Sequence, residues 1–147
     1  MELTSPTEHA PPDTPVASAL AADWAAAWNR HDSDALARLV DSDIDFVTVA
    51  GHWLKGAEAF RRHHADIHRG QMRDSVWRNM AWTERRVGAG LVLVHLRWAM
   101  SGDRDPDGTP RSPRRGIFSW LVACPESSSH GARIIAGQNT NVRADVS

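Results

Sequence analysis

Residues Leu91 to Met100 read as a β-strand that is apolar at both parities. Leu91, Leu93 and Ala99 fall on one face, and Val92, Val94, Leu96, Trp98 and Met100 on the other. Only His95 and Arg97, which share a face, interrupt the pattern. Such a strand leaves neither face in water cheaply, so it belongs inside a sheet covered on both sides. Helices of the same chain can cover one side. The other is covered most simply by a second copy of the chain, so a homodimer through the outer sheet face is expected. His95 and Arg97 need polar partners wherever they are buried. They can polarise an acidic or carbonyl-bearing ligand inside a pocket, or they can form a network at the dimer interface. Strand periodicity favours neither face, because the opposite parity fills either side equally well.

The rest of the chain supplies the cover. Pro6, Pro11, Pro12 and Pro15 stand among polar residues without apolar periodicity, so residues 1–15 read as a disordered tail and 16–147 as one domain. Thr14-Pro15 is a helix start, with a hydroxyl cap and then proline in the first turn. Val16, Leu20, Trp24, Ala27, Trp28 and His31 recur at helical spacing. Asp32 can cap a short second helix carrying Leu36, Leu39 and Val40. Asp43 to Ala50 reads as a strand, with His52-Trp53-Leu54 as its return after Gly51. A third helix spans about Ala57 to Arg69, with Ala57, Phe60, His64 and Ile67 on one side. Four long strands follow: Asp74 to Val87 (Val76, Met80 and Trp82 on one parity), Leu91 to Met100, Gly116 to Cys124, and Arg133 to Val142. The order implies an α+β fold: three helices on one face of a strongly bent antiparallel sheet, forming a cone with one open end. Such a cone is a natural small-molecule pocket.

Composition narrows the chemistry. Lys+Arg number 17 against 18 Asp+Glu, so no basic field marks a nucleic-acid binder. No apolar run approaches the ~20 residues that cross a bilayer, and the N-terminal residues lack the pattern of a signal peptide. Cys124 is the only cysteine, so no disulfide forms within the chain, and a cytoplasmic location is the simplest expectation. With 7 Trp, 3 Phe and no Tyr, an aromatic ligand surface must come mainly from Trp, and no phenol can serve as an acid. Neither a GxGxxG turn nor a P-loop is present, so no flavin, nicotinamide or other cofactor is expected.

His64 lies on the apolar stripe of the third helix. It is a candidate general base, or else a hydrogen-bonded core histidine. Trp28, Trp53, Phe60 and Trp98 are candidate pocket walls, although Trp at helical spacing also suits a core. Asn139 and Asn141 give the last strand a polar end suited to a pocket mouth or to solvent. His64 and His68 make half a metal site, but with no HExxH and no third ligand no metal is expected. Asp103 to Gly108 begins like a calcium loop. Its twelfth position is Arg114, so a solvated hairpin loop is expected. No nucleophile elbow or Cys-His pair supports covalent catalysis.

Several of these residues together resemble a known family. Asp23-Trp24, Ala27-Trp28-Asn29-Arg30-His31-Asp32 and Asp45-Phe46-Val47-Thr48-Val49 resemble the opening of SnoaL-like proteins of the nuclear-transport-factor-2-like (NTF2-like) superfamily. Gly56 with Phe60 and His64, Val94 to Trp98, Gly116 to Trp120 and Asn139-Thr140-Asn141 are similar to the SgcJ/EcaC group within it. The resemblance implies a cone-shaped NTF2-like fold, commonly a homodimer, and a role beside enediyne polyketide biosynthesis. The expected ligand is then a hydrophobic polyketide or polyene, steered through cyclisation or processing without a cofactor. His64 would be the acid/base residue, with His95 and Arg97 as carbonyl polarisers. A non-catalytic carrier of such a ligand, or a dimeric accessory module of a polyketide synthase, would use the same fold.

Overall fold

The computed structural model describes residues 15–125 and 131–145. Thr14 and nearly all of the expected tail lie outside the described residues, as does most of the loop from Pro125 to Gly131. The elements run α1 (Val16–Asn29), α2 (Ser33–Ala37), β1 (Val40–Val47), β2 (Trp53–Lys55), α3 (Ala57–Arg69), β3 (Val76–Gly88), β4 (Leu91–Ser101), β5 (Arg114–Ala123) and β6 (Arg133–Val142). The three helices and the curved sheet make the expected α+β fold.

α1 buries Val16, Leu20, Trp24, Ala27 and Trp28. His31 does not extend its stripe. It turns the chain with a left-handed backbone (φ 56°), and Asp32 then caps α2 by accepting a hydrogen bond from Ala35 N at 3.0 Å. α2 ends before Val40, which opens β1. α3 turns Phe60, His64 and His68 into the protein, with Ile67 only half-buried.

The six strands form one sheet in the order β2-β1-β6-β5-β4-β3. Four pairings are antiparallel, but β1 and β6 run parallel, which an all-antiparallel sheet would not contain. α3 carries the chain from β2 to the far edge, and the β3–β6 meander returns it beside β1 in the same direction.

Val76, Met80 and Trp82 do not share a face. A register shift between Asn79 and Ala81 reverses the alternation, so Val76 pairs with Ser101 on the outer side and Trp82 with Leu96 on the helix side. The helix-facing parity of β4 (Val92, Val94, Leu96, Trp98, Met100) is buried throughout. It meets Trp77, Phe118 and Trp120 from the neighbouring strands and Trp24 from α1. Rings of Trp28, Phe46, Phe60, Trp77, Phe118 and Trp120 surround Trp24 at centroid distances of 4.9–6.2 Å. Each such pair contributes roughly 0.5–1.5 kcal/mol beyond the area it buries. Among the described residues, no helix is long and apolar enough to cross a membrane.

Candidate functional site

A cavity of about 120 Å³ opens between the helices and the inner face of the sheet. Its buried walls are Trp24, Trp28, Phe46, Trp77, Trp98 and Phe118. Its more exposed end is ringed by His52, His63, Gln71, Arg111, Arg114 and Asn139. Among the described residues, no aspartate or glutamate lines it.

Three of the four wall tryptophans are held by their indole N–H groups, and the fourth, Trp24, by ring packing alone. Trp98 Nε1 donates to Asn139 Oδ1 at 2.7 Å, and Trp77 Nε1 to Asn79 Oδ1 at 2.9 Å. Trp28 Nε1 donates to Ser75 Oγ at 2.9 Å, and that hydroxyl donates on to Met72 O at 2.8 Å. Trp98 lies flat against its cross-strand partner Gly116, so close that a Cβ there would stand 2.0 Å from Trp98 Cζ2. Only glycine leaves room for that ring.

His64 is the polar group deepest in the cavity, only 3% exposed. Its Nδ1 bonds the Phe60 carbonyl at 2.8 Å. A carbonyl only accepts, so Nδ1 carries the proton and Nε2 the lone pair. Nε2 has no hydrogen-bond partner among the described residues. Burial pushes the His64 pKa down to about 3, further than the Phe60 carbonyl raises it, and His63 and His68 add to the depression. The imidazole is neutral at pH 7. It is also far too weakly basic to match a general base poised near neutrality. At the mouth the His63 pKa is likewise lowered, first by desolvation and then by His52, whose ring lies 5.3 Å away.

A family model described as a SnoaL-like domain matches residues 21–124. The chain belongs to the SnoaL-like domain family. No curated protein matches it. Among solved structures, this SnoaL-like chain is similar to an uncharacterized protein with a cystatin-like fold from Caulobacter vibrioides, with TM-score 0.80, 22% identity and coverage of 88% of this chain and 89% of that one. An NTF2-like protein from Novosphingobium aromaticivorans aligns with TM-score 0.68 and 19% identity over 87% and 80% of the two chains. A ketosteroid isomerase-like protein from Erwinia carotovora atroseptica aligns with TM-score 0.68 and 14% identity over 87% and 95%. At such identities the likeness shows a shared fold.

In this SnoaL-like domain the cavity gathers four of the candidates named from sequence: His64, Trp28, Trp98 and Asn139. The others lie elsewhere. His95 and Arg97 are exposed on the outer face, opposite Thr83 and Ala81 of β3, because the alternate parity of β4 is the one buried under the helices. They cannot polarise a ligand in the cavity. Trp53 is 63% exposed on the edge hairpin, donating to Asp45 Oδ1 at 2.9 Å, with Lys55 Nζ 4.4 Å from its ring centroid. Phe60 is fully buried behind the wall, its ring 4.2 Å from His64, and so supports His64 rather than touching the cavity. Asn141 shares Asn139's parity but lies beyond the mouth, where its Oδ1 accepts from Arg114.

His68 is buried outside the cavity, its Nδ1 sharing a 2.8 Å hydrogen bond with His31 Nδ1. Among the described residues no three His, Cys, Asp or Glu side chains come together as a metal site. The loop expected to be solvated carries Asp103, which is wholly buried and takes Arg114 Nε at 3.0 Å. Trp77, Phe118, Arg111 and Arg114 were not expected in the site. The parity of β5 contained the signal for two of them: Arg114 and Phe118 share a face with Gly116 and Trp120.

Proposed function

We propose that the chain binds a small aromatic or unsaturated ring in this cavity, with His64 Nε2 accepting a hydrogen bond from a donor group on the ligand. The observation that carries this reading is the unpartnered Nε2 lone pair at the end of a wall built from Trp and Phe. Membership of the SnoaL-like family agrees with a small-molecule-binding or isomerase-like protein. The low His64 pKa favours binding and positioning over acid–base catalysis. A volume of about 120 Å³ is near that of cavities that hold a single benzene-sized ring. A polyketide or polyene of the kind that the SgcJ/EcaC resemblance implies would therefore place one ring or a short conjugated stretch inside. The rest of it would lie at the mouth, beside Arg111, Arg114 and Asn139.

Two copies of the chain would pair across the outer sheet face, where Leu91, Leu93, Ile117 and Leu121 are only half-buried and no helix among the described residues covers them.

Calorimetric titration with phenol and toluene tests the ring site. Phenol is expected to bind more tightly than toluene, and His64→Leu is expected to abolish that preference, because it removes the acceptor and keeps the apolar bulk. Failure of phenol to bind the unmodified chain would overturn the reading.

A further inference from the structure

The ring-binding reading leaves the ligand's charge open, and the following inference rests on that reading. We infer that the ligand is an anion: a small aromatic or unsaturated carboxylate, its ring among the tryptophans and its carboxylate held by Arg111 and Arg114.

Arg111 and Arg114 both line the cavity, and among the described residues no Asp or Glu lines it beside them. They are fixed from behind. Asp103, fully buried, accepts from Arg114 Nε at 3.0 Å and lies 3.5 Å from Arg111 Nη1 through the same oxygen, Oδ2. Arg111 Nε donates to Asp105 at 2.7 Å. In both arginines the Nε–H is committed to the tether, which leaves the Nη2 group of each for a ligand. Arg114 Nη1 donates to Asn141, and its Nη2 reaches only the Met100 sulfur at 3.5 Å, a weak acceptor that a carboxylate oxygen readily displaces. Arg111 Nη2 has no hydrogen-bond partner among the described residues.

Asp103, wholly buried, is shared between the two guanidiniums, while Asp105, 47% exposed, pairs with Arg111, itself 32% exposed, so water screens that outer pair more than the inner one. Arg114 is itself only 15% exposed and sits 5.3 Å from the Trp98 ring centroid, which restrains its plane. Two restrained forks beside an aromatic cavity suit a planar oxyanion at one end of a planar ring. A cavity of about 120 Å³ suits one six-membered ring.

The test is calorimetric titration of the full chain at neutral pH and low salt with 4-hydroxybenzoate, 4-hydroxybenzamide and phenol. The acid is expected to bind at least about tenfold more tightly than its neutral amide. Arg114→Gln, and separately Arg111→Gln, with folding checked by circular dichroism, are each expected to reduce that ratio, and added salt to narrow it. Equal binding of acid and amide by the unmodified chain would overturn the inference while leaving the ring site standing, provided phenol binds. An acid preference that survives in both folded arginine variants would overturn it too. If none of the three compounds binds, the ring-binding reading falls and takes this one with it.

Discussion

His64 and His68 are buried imidazoles that the fold keeps neutral, and stability depends on that state. Burial lowers the His64 pKa to about 3. It lowers that of His68 to about 4, with His31 adding to the effect. Unfolded, both rings return to about 6.5 and take up protons there. Their contribution is therefore fully present above pH 6.5 and is lost as pH falls from 6.5 toward 4 and 3. For His64, wholly buried, the effect is on the order of a few kcal/mol. Urea unfolding followed from pH 7 to pH 4 should show the midpoint falling in the unmodified chain. In His64→Gln the fall should be shallower, because an amide cannot titrate. Equal slopes in the two proteins would refute this account. The His31–His68 hydrogen bond belongs to the same balance, since it needs at least one ring nitrogen with a free lone pair.

Between elements, the contact that shapes the site is the one where β4 lays Trp98 across Gly116 of β5. Asn139 of β6 completes the arrangement by fixing the indole N–H, so three neighbouring strands determine one cavity wall. Gly116→Ala would place a methyl 2.0 Å from Trp98 Cζ2 and 2.6 Å from the Thr140 carbonyl oxygen. Both the ring and the β6 backbone must move, at a cost of about 1–3 kcal/mol or more. Chemical denaturation should register that loss, and phenol affinity should fall with it, because Trp98 is part of the wall. A variant with unchanged stability and affinity would mean that Trp98 is not held where the structure has it. The register shift in β3 acts on the same scale, putting Trp77 under α1 and leaving Met80 exposed at the irregularity.

At the scale of the whole molecule, the described helices all pack on one face of the sheet. On the other face, half-buried Leu91, Leu93, Ile117 and Leu121 flank the exposed His95 and Arg97, so apolar and polar groups alternate across it. Pairing of two copies there would bury the leucines and give His95 and Arg97 partners from the second chain. Sedimentation at micromolar concentration is expected to show a dimer, and Leu93→Glu a monomer that still folds, since Leu93 has no role in the inner core. A monomeric unmodified chain would rule the arrangement out.

The elements were legible in the sequence because periodicity is local. The span of α3, the four long strands and the buried stripe of α1 follow from apolar spacing and from glycine and proline stops. His64 was legible for the same reason, since its place on the stripe of α3 turns it inward. What local pattern could not decide was which face of an amphiphilic strand looks inward. β4 is apolar at both parities, so the outward placement of His95 and Arg97 became visible only once helices were packed on the sheet. The parallel β1–β6 pair and the irregularity of β3 likewise depend on strand partners far away in the chain. So does the cluster of Asp103, Arg111 and Arg114. A loop whose composition reads as solvated instead buries an aspartate, because two arginines close over it at the cavity mouth. Spacing along a chain sets which residues share a face. Only packing sets what that face meets.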